Sequence, residues 1–206
     1  MSTTAQKVTA FVTRVTSRGT DLLLFEHPHA GIQLPAGTVE VGEPHAIAAA
    51  REAYEETGLH DLPPGRFLDE AQEPLSPHHY LLLTTSTIFP RPDRTGFDWA
   101  TIRYGIRVVC DRQEGDFAHV TYQERDDGID PAFVSYQITG WVDRAVLTRD
   151  VMRYFYHFPY HGNTPTTWHV DTDNHRFRLF WAPLAQLPTI VAPQRWWVDV
   201  LLRADL

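Results

Sequence analysis

Three glutamates, Glu52, Glu55 and Glu56, stand in PHAIAAAREAYEET, a run of strong helix formers from Pro44 to Thr57. At 100° per residue, with Glu52 at zero, Glu55 falls at about 300° and Glu56 at about 40°, so the three carboxylates share one narrow helix face. Like charges at this spacing weaken an isolated helix by a few tenths of a kcal/mol per pair, so the pattern calls for a compensating cation. Clustered hard oxygen donors suit Mg²⁺ or Mn²⁺, and the absence of Cys and His from this face disfavours zinc. The plain alternative is a solvated acidic helix surface.

The elements that must position these acids are a helix and a loop. Pro44 at the first turn and Gly58 as a stop bound the helix. On the same angular count Ala46, Ile47, Ala50, Ala53 and Tyr54 fall between about 100° and 220°, which predicts the core-facing side and points the acids away from it. Ala48 and Ala49 flank the acids and leave space beside them. Before the helix, Pro35-Ala36-Gly37 breaks a short strand-like piece, Ile32 to Leu34.

From Gly37 to Leu59 the chain reads GTVEVGEPHAIAAAREAYEETGL: Gly, five residues, Glu, seven residues, then Arg-Glu-Ala-Tyr-Glu-Glu-Thr-Gly-Leu. This resembles the Nudix box of the Nudix hydrolase family at every fixed Gly, Glu and Arg position. A chance match of seven specified residues has a probability on the order of one in a million. The one departure is Ala53, where the family has a larger aliphatic residue. The resemblance implies an α/β fold, an α/β/α sandwich around a mixed sheet, and pyrophosphohydrolase activity with Mg²⁺ or Mn²⁺ as cofactor. It implies Glu52 and Glu56 as metal ligands, with Glu55 completing the site or binding a second ion and a carbonyl of Ala36 or Gly37 joining them. Arg51 then orients the carboxylates, paired with Glu43, and belongs with the three glutamates to the catalytic set. Gly37 is expected at positive φ where the loop comes close to the metal, and Gly58 is the helix stop. Glu52 is the first choice for proton acceptor, with Glu124 and Asp173 as candidates on distant loops.

At 206 residues, 43% hydrophobic and 21% charged, the chain is long enough for one well-buried core, and a single domain over residues 1–206 is expected. The net charge of −8 argues against a nucleic-acid binder, which needs a basic surface. Cys110 is the only cysteine, so no internal disulfide forms, which fits a reducing compartment. Its ordinary role is that of a small buried apolar residue. The polar start MSTTAQK leads directly into a strand pattern with no apolar stretch long enough for a signal peptide or membrane span, so a cytoplasmic protein is expected.

Alternation and turn signals predict a hairpin of Lys7 to Thr16 and Leu22 to Glu26, and strands at Tyr80 to Phe89, Ile102 to Cys110, Phe117 to Gln123, Phe133 to Val142, Val151 to Phe158 and Phe177 to Trp181. Gln194 to Arg203 reads as a closing helix, with Trp196 and Trp197 as core residues rather than a stacking platform. The stretch from about 90 to 150 lacks a helix pattern and is expected to be a β-rich insertion that borders the metal site or builds a homodimer contact. The string ERDDGID from Glu124 lacks the spacing of a calcium loop. His27, His29, His78 and His79 read as loop histidines, the last two with a minor binding role open.

The expected substrate is a nucleotide-type small molecule, a nucleoside diphosphate linked to another moiety such as ADP-ribose. Pro74, fifteen residues beyond Leu59, resembles the ADP-ribose pyrophosphatase subgroup. Dinucleoside polyphosphates and nucleoside triphosphates stay open. A non-catalytic nucleotide-sensing module is the rival from another class, although such modules usually show a broken box. A third reading makes Trp99, Tyr104, Tyr136 and Trp141 an interaction surface rather than core.

Overall fold

The computed structural model describes residues 3–126, 133–172 and 175–204. The chain runs β1 (Ala5–Thr16), β2 (Gly19–His27), β3 (Gly31–Gln33), β4 (Ala36–Thr38), α1 (His45–Thr57) and β5 (Arg66–Gln72). It continues through β6 (His79–Leu82), β7 (Ser86–Ile88), β8 (Ala100–Ile102), β9 (Arg107–Glu114), β10 (Phe117–Asp126), β11 (Phe133–Asp143) and β12 (Leu147–Thr148). It closes with β13 (Val151–Pro159), β14 (Thr167–Thr172), β15 (His175–Pro183), α2 (Ala192–Arg195) and α3 (Trp197–Arg203). Two compact units result: one holds residues 7–71 and 153–204 of the described chain, the other residues 3–6, 72–126 and 133–152.

In the first unit the sheet order is β14-β15-β2-β1-β13-β5, with β3 on β2 and β4 on β1. The β1–β2, β1–β4, β2–β3, β2–β15 and β14–β15 ladders are antiparallel. Successive strand residues point to opposite faces, and both faces here are covered. Val8, Ala10, Val12, Leu23, Phe25, Tyr156 and Phe158 pack with Ala48, Ala49 and Ala53 of α1. Phe11, Leu22, Leu24 and Phe155, the alternate residues, pack with Trp197, Val198 and Leu201 of α3. The result is an α/β/α sandwich, and α3 bears out the closing helix. Both tryptophans belong to that layer, Trp197 buried and Trp196 packed against it.

Arg153 fastens α3 to the sheet. Its Nη1 donates to Val8 O at 2.8 Å and to Thr9 Oγ1 at 3.0 Å, and its guanidinium lies 3.9 Å from the Trp197 ring centre. On the same face the buried His157 lies 2.7 Å from Thr13 Oγ1 through Nε2. Burial, with the Arg66 charge as a lesser cause, holds the imidazole below its ordinary pKa. The folded state therefore favours neutral His157: its contribution is full above the unfolded value, about 6.5, and is lost as pH falls from there through the lowered value. Thermal melts of wild type and His157→Gln between pH 7.5 and 5 are expected to show the smaller loss for the variant. Parallel curves would remove the histidine from the acid sensitivity.

The second unit holds an antiparallel sheet ordered β11-β10-β9-β6-β12 and the pair β7-β8, and no α-helix lies among its described residues. Leu82, Ile88, Val108, Ala118, Val120 and Val142 form its core. This unit takes in the described part of the stretch from about 90 to 150 together with the residues from 72 that precede it. Two expected strands are each broken. Tyr80 to Phe89 becomes β6 and β7, and Ile102 to Cys110 becomes β8 and β9, because the chain turns at Gly105 with φ 75° and crosses back to bond Leu82. His78, at φ 65°, lies in the turn into β6, and His79 is the first residue of that strand. Cys110 is buried, which pushes its thiol pKa up and leaves it unreactive. Trp141 is core, whereas Trp99 and Tyr136 are exposed.

Candidate active site

Helix α1 begins after Pro44 and ends at Gly58, whose φ of 69° is the left-handed conformation that terminates helices and whose N–H donates to Tyr54 O at 2.8 Å. Trp168 Nε1 donates to Thr57 O at 2.8 Å and satisfies another terminal carbonyl. The buried residues are Ala48, Ala49, Ala53 and Thr57, while Ile47 and Tyr54 are 59% and 46% exposed. The core face is therefore not the one expected from Ala46, Ile47, Ala50 and Tyr54; it is turned toward the acids. On the angular count the buried arc spans about 320° to 140° and contains Glu52 and Glu56. The physical reason is closeness: alanines let α1 approach the sheet, and the larger apolar residues do not fit beneath it.

Glu52 is consequently half-buried, pressed against β4. A Cβ built on Gly37 would lie 2.0 Å from the Glu52 carboxylate carbon. This close approach is what requires glycine; Gly37 is not among the positive-φ residues, so the conformational reason expected for it is corrected. Burial pushes the Glu52 pKa up, opposed by the Arg51 charge and hydrogen bond. Glu56 accepts from the Ala36 N–H at 2.8 Å through Oε2 and so ties the loop to the helix. Glu55 is more exposed and meets Arg51 at 3.2 Å.

Arg51 organises the cluster. Its Nε and Nη2 donate to the two oxygens of Glu43, each at 3.0 Å, and Nη2 also donates to Thr38 O at 2.9 Å. Nη1 donates to Glu52 Oε1 at 2.9 Å and to Glu55 Oε2 at 3.2 Å. All five donors of a guanidinium are thereby matched, and the forked contact to Glu43 is the geometry lysine cannot copy. The same bond holds the Glu43 carboxyl below its ordinary pKa and raises that of Arg51. The Glu40 N–H adds a bond to Glu43 at 2.9 Å, closing the loop before the helix.

A family model described as NUDIX domain matches residues 5–201. The chain belongs to the Nudix family. No curated protein matches it. Among solved structures, the NUDIX domain of Shewanella oneidensis NrtR, crystallised with ADP ribose, is similar over 98% of this chain and 88% of that one, at 10% identity and a TM-score of 0.47.

Of the Nudix box residues named from the sequence, Glu43, Glu52 and Glu55 meet through the Arg51 guanidinium and Gly37 lies against Glu52, while Glu56 bonds the loop that carries Gly37. Ala36 enters through its N–H. Of the distant base candidates, Glu124 lies in the other unit with its Oε1 accepting from Tyr122 Oη at 2.7 Å. Asp173 lies outside the described residues, as does most of the acidic string after Glu124. Two participants were not anticipated. Thr38 contributes a backbone carbonyl, which no side-chain pattern signals, and Lys7 of β1 donates through Nζ to Thr38 Oγ1 at 2.6 Å, a neighbour set only by the β1–β4 register.

For a divalent cation the donor chemistry is of the right kind, since the carboxylates of Glu52, Glu55 and Glu56 stand on one helix beside a side-chain-free glycine. Among the described residues no three Asp, Glu, His or Cys side chains form a preassembled cage; Glu52 and Glu55 lean on Arg51 and Glu56 on Ala36. Loading a metal therefore entails turning carboxylates within this cluster. Replacing Gly37 with alanine is expected to push Glu52 off β4 and lower turnover about tenfold or more while the fold persists, read by steady-state kinetics and circular dichroism. Wild-type turnover in that variant would mean the close approach is incidental.

Proposed function

We propose that this Nudix protein is a Mg²⁺- or Mn²⁺-dependent pyrophosphohydrolase that cleaves the phosphoanhydride of a nucleoside diphosphate linked to another moiety, with ADP-ribose as the leading example. The observation that carries this reading is the arrangement of the box acids: Arg51 holds Glu52 and Glu55, Glu52 lies against a glycine that leaves room for it, and Glu56 anchors on the Ala36 N–H. Glu52, Glu55 and Glu56 would hold the metal, with a carbonyl of Ala36 or Gly37 as a further ligand. A bound divalent ion neutralises diphosphate charge and acidifies its water. The protein residues do the rest: Arg51, gripped by Glu43, orients Glu52 and Glu55, and Glu52, sheltered on Gly37, would accept the proton.

No helix among the described residues is long and apolar enough to cross a membrane. A panel of ADP-ribose, dinucleoside polyphosphates and nucleoside triphosphates, incubated with Mg²⁺ or Mn²⁺ and read by phosphate release after phosphatase treatment, tests the proposal. ADP-ribose is expected to give the highest kcat/KM. Tight binding of ADP-ribose without turnover under either metal would instead support a sensing module.

A further inference from the structure

At its first residue, His45, helix α1 meets a group of aromatic rings from β13 and β5 of the first unit's sheet. The His45 ring stacks on Tyr154 of β13, with centres 4.2 Å apart and planes within 6°, and it lies 6.3 Å from the ring of Phe67 on β5. Phe67 in turn meets Tyr156 edge-on at 5.6 Å. We propose that His45, Tyr154 and Phe67 form the site that receives the nucleobase of the substrate, which rests on the reading above that the carboxylate cluster takes a nucleoside diphosphate.

Placement is the first support. His45 stands two turns before Glu52, at about 20° on the same angular count, so it shares the helix face of Glu52 and Glu56. The rise between His45 and Glu52 is about 10 Å, close to the span that a ribose and one phosphate put between a base and the phosphoanhydride. The sheet gives the same interval: Gly37 pairs with Val8 of β1, β13 is the next strand, and Arg153 beside Tyr154 bonds Val8 O. Two strand spacings are again about 10 Å.

The state of the rings is the second support. His45 Nδ1 lies 2.6 Å from the hydroxyl of Tyr156, itself only 3% exposed, and this bond fixes the imidazole. Phe67 is 48% exposed on β5, the end strand of its sheet, and His45 and Tyr154 are partly exposed. A cluster that served only to pack helix on sheet would cover Phe67, since large apolar surface is what packing removes from water. Here aromatic surface stays open two turns from a charged site, and every nucleobase has a π-face to lay on it. Among the described residues His45 Nε2 and Tyr154 Oη have no hydrogen-bond partner, so both are left to water or to the polar edge of a base.

The test is calorimetric titration of the full chain with ADP and, as the base-free probe, with inorganic pyrophosphate, both in the presence of Mg²⁺. Phe67→Leu, which keeps apolar bulk but loses the ring, and His45→Ala are expected to bind ADP at least about tenfold more weakly than wild type, with pyrophosphate affinity the same in all three. Phe67→Tyr keeps the ring and should keep the ADP affinity. Thermal melts establish that the variants fold, and His45→Gln serves if His45→Ala does not. Unchanged ADP affinity in both variants, equal losses for ADP and pyrophosphate, or a wild type that binds ADP no better than pyrophosphate would each overturn the site. Turnover separates this inference from the one it rests on. ADP binding that depends on these rings in a chain that never cleaves ADP-ribose would keep the base site and overturn the hydrolase. Cleavage of ADP-ribose with wild-type KM in both variants would keep the hydrolase and overturn the base site.

Discussion

Glu56→Gln is expected to lower turnover at least about a hundredfold, close to 3 kcal/mol of transition-state stabilisation, while leaving the fold intact. The two halves of this expectation come from different atoms. Glu56 Oε2 accepts the Ala36 N–H at 2.8 Å, and the glutamine carbonyl oxygen can accept the same bond, so the loop keeps its anchor. What disappears is the negative charge that a divalent ion would meet. Steady-state kinetics across a range of Mg²⁺ and Mn²⁺ concentrations decides the matter. Near-normal turnover at saturating metal would show that Glu56 is only a loop anchor and that the metal is held elsewhere.

The box residues were legible because their chemistry is local: the helix, its stop at Gly58 and the three acids within five positions follow from spacing alone. What the sequence hid was the direction in which they face. Hydrophobicity favoured Ile47 and Tyr54 as core residues, yet both are exposed and three alanines are buried. The reason lies in β4, where Gly37 has no side chain and Glu52 lies in the space a methyl would take. Only the tertiary approach of helix and strand reveals that α1 needs small residues beneath it. The same limit explains the strands that were not anticipated. β5, RFLDEAQ, lies at the end of its sheet with mostly exposed residues, so it carries little apolar alternation. β14 alternates exposed and half-buried residues, and it is positioned by its ladder with β15.

Arg51→Ala is expected to reduce both turnover and stability, and the pairing of those losses distinguishes an organising cation from a residue that merely touches substrate. Removing the guanidinium deletes five hydrogen bonds and leaves Glu43, Glu52 and Glu55 close together without their counter-charge. Glu43 and Glu52 have side chains only 13% and 12% exposed, so water compensates poorly. A loss of about 2 to 3 kcal/mol is expected, since breaking a partly buried ion pair strands its partners. In a chain of this size that corresponds to a fall of roughly 5 to 10 °C in Tm. Turnover should fall about a hundredfold because the acids no longer keep their mutual geometry. Lysine should restore part of the stability and little of the activity, having one ammonium where the site presents a forked carboxylate and a backbone carbonyl. The pH dependence has a definite sign. Glu43 is held below its ordinary pKa by Arg51, so this contribution is present above the ordinary carboxylate value and disappears as pH falls through the lowered one. Wild type and Arg51→Ala should therefore converge in stability at acid pH. Equal Tm at neutral pH together with equal turnover would remove Arg51 from the design of the site and leave the three glutamates to be organised by the metal alone.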